Sequence, residues 1–205
     1  MWVADDPTTT AVVCMEMQRG VAGDLAGSMP ARAAVEARGV VARLAQLLTE
    51  ARRRGVLVVH CTAAFRPDRK GSYLNLPHVA EAMKDPGYLA VGSPHVEPIP
   101  ELFDPSDFVS QRLHGISPFT DTSLDPALRS FGARTVVATG VSLNRGVIGL
   151  TIEAVNRGYR VVIPRDCVAG YPADYGDLVL EHTLAALAVV TDSESIVRSW
   201  RDAPS

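Results

Sequence analysis

The chain has few cysteines, and none of them falls in a pattern that binds a metal or builds a disulfide framework. Its three cysteines, Cys14, Cys61 and Cys167, lie far apart, and no CxxC pair occurs among the 205 residues. An odd and scattered set of this kind is typical of reduced thiols in the cytoplasm. We therefore expect a cytoplasmic protein that binds no metal.

The sequence also lacks the features of proteins that bind membranes or nucleic acids. No apolar run approaches the roughly 18 residues of a membrane span. The formal net charge is −3, and no basic stripe with interleaved aromatic residues favours nucleic acid. The segment MWVADDPTTT lacks the basic start and apolar core of a signal peptide. We expect no membrane or nucleic-acid partner.

Short apolar runs alternate with longer helical patterns along the chain. The runs are rich in valine and lack strict polar alternation, which is typical of strands covered on both faces. They lie at 11–15, 56–61, 108–113, 135–138, 160–164 and 188–191. Repeated strand–helix–strand order predicts an α/β fold with three layers, α/β/α, around a Rossmann-like, mostly parallel six-stranded sheet. The length predicts a single domain over residues 1–205.

Helical patterns fill most of the intervals between the runs. The segment ARAAVEARGVVARLAQLLTEARRR has apolar residues at helical spacing, which predicts one helix at 31–54. Further helices are predicted at 78–84, 124–130, 144–157 and 173–187. The proline-rich region 64–105 shows little regular pattern, and long irregular segments of this kind are often lids or contact loops.

The ends of the predicted strands carry the candidate site residues, because ligands of open parallel sheets bind at the carboxyl ends of the strands. Glu16 and Gln18 follow the first run, His60 ends the second, and Arg112 and His114 follow the third. The turn TGVSLNRGVIG after the fourth run adds Ser142, Asn144, Arg145 and Gly146.

Three segments together resemble the isochorismatase-like cysteine hydrolases. TAVVCMEMQRG is similar to that family's first strand, and DFVSQRLHGISPFTDTSL to its third strand and the loop beyond it. TVVATGVSLNRGVIGLTIEAVNRGYRVVIPRDCVAG is similar to its nucleophile turn, helix and fifth strand. The resemblance covers nearly the whole chain in the family's order. It implies the family's fold, a substrate contact at Phe119 and a cis peptide between Val141 and Ser142.

The resemblance breaks at the residues that carry the family's chemistry. The family's amidases use an aspartate base, a neighbouring lysine and a cysteine nucleophile. Here Glu16 stands at the aspartate position and Gly146 at the cysteine position. Counting forward from Asp107 puts Arg112 at the lysine position, whereas counting back from the later motif puts Leu113 there. Arg112 is favoured because it keeps a cation beside the acid.

These departures change the expected mechanism. A glycine cannot form the covalent acyl intermediate of a cysteine amidase. The resemblance points to the isochorismatase branch, in which an acid on the first strand protonates a vinyl ether and water completes the hydrolysis. Glu16 could do this if it held a proton at neutral pH, although a close Arg112 favours the carboxylate. Glu16 is therefore the predicted acid or base, and Arg112 its cationic partner.

Each candidate also has a structural interpretation. Glu16 and Arg112 could form an ion pair that only neutralises two charges. Gly146 either opens space for a substrate near the N–H groups at a helix start or lets the helix pack closely. His60 could be a satisfied core residue, and His114 a plain hydrogen-bonding residue of a loop.

The leading hypothesis is a cofactor-independent hydrolase that acts on a small anionic substrate without a cysteine nucleophile. The alternative is a catalytically inactive homologue that binds or senses a small molecule. A third reading is an amidase or lactonase that uses water activated by Glu16. The resemblance also implies a homo-oligomer, a dimer or a tetramer.

Overall fold

The computed structural model describes residue 4 and residues 6–203. The rest of the predicted 1–205 domain, including part of the segment MWVADDPTTT, lies outside the described residues. In the part of the chain that is described, no helix is both long enough and apolar enough to cross a membrane.

In the described part of the chain, seven parallel strands form one sheet with helices on both faces, which confirms the predicted architecture. The strands are β1 (Thr10–Met15), β2 (Leu57–Ala63), β3 (Phe108–Arg112), β4 (Thr135–Val141), β5 (Arg160–Pro164), β6 (Val168–Ala169) and β7 (Val189–Thr191). Their order is β3-β2-β1-β4-β5-β7, and β6 pairs with the end of β4. The prediction of six strands missed β6, because two residues are too few to form a recognisable apolar run.

Within residues 6–203, seven α-helices connect or flank these strands. They are α1 (Pro30–Arg38), α2 (Val40–Arg53), α3 (Pro77–Ala82), α4 (Leu124–Phe131), α5 (Ile148–Asn156), α6 (Ala173–Leu178) and α7 (Ser193–Asp202). A wider π-helical turn, Leu143–Val147, precedes α5, and another, Val179–Thr183, follows α6. The predicted helix at 144–157 is therefore a composite of two helical forms, and the one at 173–187 is a composite of three, since a 3-10 turn, Leu184–Ala186, follows the second π-helical turn.

The single helix predicted at 31–54 is wrong, because the structure has two helices there. Gly39 lies between α1 and α2 with φ 63°, a left-handed conformation that glycine adopts without a Cβ penalty. The predicted apolar face is correct for α2. Its buried residues are Val40, Leu44, Leu47, Leu48 and Ala51.

The sequence patterns did not predict α7. The helix has an ordinary N-cap, since the Asp192 side chain accepts a hydrogen bond from the Ser195 N–H at 2.7 Å. Such a cap satisfies one of the free N–H groups of a helix start. The DSES segment was thus a usable signal for the start of the helix.

The alternation of side chains along β1 divides the interior into two cores. Val12 and Cys14 face the core beneath α1, α2 and α7, where Trp200 is fully buried. Val13 and Met15 face the core beneath α4, α5 and the turn after α6. Because both faces of the strand are covered, the strand contains no polar alternation, as the apolar run predicted.

The sheet order brings the predicted site segments together. β1 lies between β2 and β4, and its last residue, Met15, pairs with Cys61 on one side and Gly140 on the other. Arg112, at the end of β3, pairs with Ala63 at the end of β2. The order of the strands reverses at β1, which is where open α/β sheets form a crevice for ligands.

Candidate active site

A cavity of about 210 Å³ lies at the carboxyl ends of β1 to β4. Its polar lining comes from several segments. The strand ends and the β4–α5 turn contribute Glu16, Arg112, Ser142, Asn144 and Arg145, together with the backbone of Gly146. The proline-rich region contributes His78 and Tyr88, and the segment before α6 contributes Tyr171. The strand-end residues were sequence predictions, whereas these three residues were not foreseen.

Glu16 lies at the floor of the cavity, directly after β1. Its N–H donates to the Cys61 carbonyl at 2.9 Å, and its φ is 51°. A positive φ is uncommon for a residue with a long side chain. The side chain is 20% exposed, and its Oε1 accepts a charge-assisted hydrogen bond from Arg112 Nη2. Within the described residues, no hydrogen bond occupies Oε2, so one carboxylate oxygen is left for a ligand or water.

Arg112 is the cation beside this acid. Its Nε donates to the Gly115 carbonyl at 3.3 Å, and only 6% of the residue is exposed. Its Nη1 is buried without a hydrogen-bond partner among the described residues. Leu113 instead packs against the core under α1 and α2. The structure therefore places Arg112, and not Leu113, next to Glu16.

The β4–α5 turn forms one wall of the cavity. The peptide between Val141 and Ser142 is cis, as the resemblance implied. Asn144 Nδ2 donates to the Tyr171 carbonyl at 3.0 Å and ties the turn to the segment before α6. Arg145 is exposed at the mouth of the cavity.

Gly146 presents only backbone to the cavity. A Cβ at this position would lie 2.9 Å from the side chain of Met15 and 2.9 Å from the Val141 carbonyl oxygen. Contacts this short are repulsive, so a side chain requires a shift of its neighbours. The interpretation of Gly146 as an opened space is therefore wrong, because Met15 fills that space. Close packing explains the glycine.

The facing wall comes from the proline-rich region. His78 lies at the start of α3, and Tyr88 follows that helix. Burial raises the pKa of Tyr88, whose ring stacks on Phe65 with centroids 5.8 Å apart. Partial burial and the charge of Arg145 lower the pKa of His78, while Glu16 acts in the opposite direction. The histidine is therefore neutral at pH 7.

Gln18 is not in the lining of the cavity. Its side chain is fully buried, and its Nε2 donates to the carbonyls of Ala63 and Val96 at 2.9 and 3.1 Å. Its Oε1 accepts the Ala63 N–H at 2.8 Å. All the usual contacts of a buried amide are made to backbone, so Gln18 fastens the proline-rich region to β2. The structure therefore does not bring the predicted substrate contact Gln18 to the cavity.

His60 is also removed from the cavity. Its Nε2–H donates to Asp107 Oδ2 at 2.9 Å, and Arg52 donates to the same carboxylate with Nε at 3.0 Å and Nη2 at 2.7 Å. Burial tends to raise the pKa of Asp107, but the bonds from His60 and Arg52 lower it to about 2. Of the two alternatives, His60 fits a core residue: its Nε2 is bonded to Asp107, and its Nδ1 is buried without a hydrogen-bond partner among the described residues.

His114 and Phe119 lie outside the lining as well. The His114 ring is 4.5 Å from the Tyr73 ring, and its Nε2 is 3.4 Å from Asp121 Oδ2. Phe119 is buried in the core under α4 and α5, stacked with Tyr159. The structure does not bring these two predicted substrate contacts to the cavity. Each side chain is engaged with neighbours away from the cavity.

The three cysteines are buried and free, and none lines the cavity. Burial raises the pKa of Cys14 to about 12 and raises the pKa of Cys61 and Cys167 further. A thiol of this kind carries almost no reactive thiolate at neutral pH. Among the described residues, no group of three or more His, Cys, Asp or Glu side chains is placed to hold a metal ion.

A parallel α/β sheet with an acid at the end of its central strand, facing a strand-to-helix turn, defines a Rossmann-like enzyme fold. Residues 10–195 match the isochorismatase domain, and the chain belongs to that family. It is 30% identical over 156 residues to maleamate amidohydrolase of Pseudomonas putida, which covers 69% of this chain and 72% of the relative. The family and this relative support a hydrolase.

Solved structures share the fold. A cysteine hydrolase from Pseudomonas syringae pv. phaseolicola superposes with a TM-score of 0.82 at 24% identity, covering 97% of this chain and 95% of that chain. N-carbamoylsarcosine amidase from Thermoplasma acidophilum superposes with a TM-score of 0.70 at 23% identity, covering 91% and 97%. At these identities the similarity concerns the fold alone.

Proposed function

We propose that the protein hydrolyses a small, anionic substrate without a cysteine nucleophile, using Glu16 as its proton-transfer group. The observation that carries this proposal is the Glu16 carboxylate at the floor of a cavity, paired with Arg112 through one oxygen only. The burial of all three cysteines and their absence from the cavity lining support a mechanism in which water is the nucleophile.

The pairing with Arg112 favours a base over an acid. A guanidinium that donates to a carboxylate stabilises its ionised form, and an ionised carboxylate accepts protons. Protonation of a vinyl ether needs the neutral acid, so the pairing disfavours that chemistry. The third reading, water activated by Glu16, agrees better with the geometry.

The proposed reaction is the hydrolysis of an amide that also bears a carboxylate. Water attacks the carbonyl carbon, and Glu16 accepts a proton from that water as the C–O bond forms. The C–N bond then breaks, and the leaving nitrogen takes the proton back from Glu16. Arg112 stabilises the negative charge that passes through the site. The relative named maleamate amidohydrolase supports the choice of an amide.

The experiment is a substrate screen with a matched pair of variants. Wild type, Glu16→Gln and Glu181→Gln are assayed on small carboxylate-bearing amides, lactones and vinyl ethers. Glu181 is exposed and outside the cavity lining, so it controls for loss of a surface charge. We expect Glu16→Gln to lower kcat/KM by about 100- to 10,000-fold, as for loss of a general base, and Glu181→Gln to match wild type.

Two outcomes would contradict the proposal. Full activity of Glu16→Gln on an identified substrate would exclude Glu16 as the proton-transfer group. Binding of these compounds with no turnover would favour the alternative, a homologue that binds or senses a small molecule without catalysis.

The proposal includes a homo-oligomer, a dimer or a tetramer, in the cytoplasm. Apolar side chains exposed on α5 and α6 support it, since large exposed apolar groups often lie at interfaces between subunits. They are Ile152, Val155, Tyr175 and Leu178.

A further inference from the structure

The mouth of the cavity carries a positive charge that the floor does not use. Arg145 is exposed there, and its guanidinium forms no ion pair or hydrogen bond with any described residue. Arg112, by contrast, is neutralised by Glu16. An unpaired guanidinium is a bidentate donor suited to a carboxylate.

His78 belongs to the same mouth. It comes from α3, on the opposite side from the β4–α5 turn, and its ring also forms no hydrogen bond or ion pair within the described residues. Its pKa responds to the charges of both Arg145 and Glu16. The imidazole therefore lies within electrostatic reach of the mouth and of the floor.

The charge balance of the lining is opposite to that of the whole chain. The charged side chains of the lining are Glu16, Arg112 and Arg145, and its other titratable groups are His78, Tyr88 and Tyr171. The described lining thus has one positive charge in excess with the histidine neutral, whereas the chain has a net charge of −3. A local excess of one sign attracts ligands of the opposite sign.

We propose that Arg145 and His78 bind the carboxylate of the substrate at the mouth of the cavity, while the scissile group lies against Glu16 at the floor. This inference rests on the proposed function and adds the two groups that select the substrate. The cavity of about 210 Å³ has room for roughly seven water-sized groups. The ligand class is therefore a short carboxylic acid with an amide at its far end.

Binding at this place couples to the protonation of His78. A bound carboxylate favours the charged imidazole, so it raises the pKa of His78 from its lowered value. By linkage, protonation of His78 strengthens binding of the anion. Affinity is thus expected to rise as pH falls from about 7 to about 5, where the ligand's own carboxyl is still ionised.

The test uses carboxylate and neutral probes of equal size. Succinamate is the monoamide of a dicarboxylic acid, and succinamide is its uncharged match; oxamate, malonamate and glutaramate vary the length. Binding to the full chain is measured by calorimetry, and the His78 ring signals are followed by NMR. The variants are Arg145→Gln and His78→Gln. The controls are Arg134→Gln and His182→Gln, which replace exposed residues outside the cavity lining.

We expect at least one of the monoamides to bind and to raise the pKa of His78, and succinamide to bind much more weakly. Arg145→Gln weakens binding by about tenfold or more, as for loss of a hydrogen bond between charged groups. His78→Gln removes a threefold to fivefold gain in affinity between about pH 7 and pH 5, and the two controls leave both quantities unchanged.

The inference is overturned if none of the four monoamides binds, if succinamide binds as tightly as succinamate, or if Arg145→Gln and His78→Gln behave as wild type does. These readouts need no turnover. Failure at the mouth together with loss of activity in Glu16→Gln would remove this inference and leave the proposed function standing. Normal binding at the mouth with a fully active Glu16→Gln would remove the proposed role of Glu16 and leave the inference about Arg145 and His78 standing.

Discussion

Two acid–arginine pairs, one at the amino end of β3 and one at the carboxyl end of β1, differ in how many bonds each acid makes. Asp107 accepts hydrogen bonds from Arg52, from His60 and from the Asp104 N–H at 3.0 Å, and its side chain is 1% exposed. Glu16 accepts one bond from Arg112 and is 20% exposed to the cavity. We call Asp107, which accepts four hydrogen bonds, the saturated acid, and Glu16, which accepts one, the unsaturated acid.

The difference separates a structural role from a chemical one. An acid whose lone pairs are all occupied holds two segments together and cannot accept a proton from a ligand without breaking those bonds. An acid with a vacant oxygen in a cavity can do so. A buried ion pair alone does not identify an active site. The number of free acceptor positions on the acid distinguishes a structural carboxylate from one that can accept a proton.

The largest effect on stability is expected at the saturated acid. Asp107→Asn leaves the Arg52 charge unpaired and weakens the bond from His60, so the free energy of unfolding should fall by about 3 kcal/mol. Urea denaturation measures this change. Activity on an identified substrate should stay near the wild-type value. If Asp107→Asn lowered activity as strongly as Glu16→Gln, the two acids would not differ in their roles.

Acid titration gives the next largest effect. Hydrogen bonds from His60 and Arg52 hold the pKa of Asp107 at about 2 in the folded protein, below the ordinary aspartate value of 3.8. A lowered pKa stabilises the folded state above the unfolded value, and this stabilisation is lost as pH falls from about 4 to about 2. The loss amounts to about 2 kcal/mol. Denaturation at a series of pH values should show this slope in wild type, and Asp107→Asn should flatten it.

A smaller effect on stability is expected at Gly146, where Met15 fills the space beside the backbone. Gly146→Ala places a Cβ against Met15 and the Val141 carbonyl, so it should lower the free energy of unfolding by about 1–2 kcal/mol. Gly149→Ala is the matched control, because its Cβ would meet only ordinary contacts at 3.6 Å and beyond. Equal stability of the two variants would show that Met15 moves aside freely.

The smallest effect on stability is expected at the unsaturated acid. Glu16→Gln keeps an amide oxygen that can accept the hydrogen bond from Arg112, and the replaced side chain is 20% exposed to the cavity, so water reaches the substituted group. The free energy of unfolding should fall by no more than about 1 kcal/mol, even though activity falls strongly. A loss as large as that of Asp107→Asn would mean that Glu16 is mainly structural.

The fold was predictable because β1, β2, β4 and β5 are apolar runs in a regular strand–helix order. Because both faces of each strand are covered, each strand is a continuous apolar run, and the order of these runs predicts the α/β architecture. The break at Gly39 was not predicted, because the apolar spacing of α2 continues the pattern of α1 closely enough to suggest one helix. The two-residue β6 gives too little pattern to recognise.

The candidate site was predictable only in part. Strand ends identify the edge of the sheet that holds the cavity, which located Glu16 and Arg112. They do not say which partner each side chain meets, and Asp107, the partner of His60, lies 47 positions along the chain. His78 comes from an irregular region whose path depends on tertiary packing. Its signal was only a histidine at the start of a short predicted helix.

The backbone of Glu16 has a consequence for engineering this scaffold. With φ 51°, the residue occupies a conformation that costs on the order of 1–3 kcal/mol for most side chains, and that Asn or Gly adopts more easily. A search for heat-resistant variants would therefore favour replacement of the very carboxylate proposed to do the work. At Glu16, the residue type that favours thermostability therefore differs from the one that turnover requires.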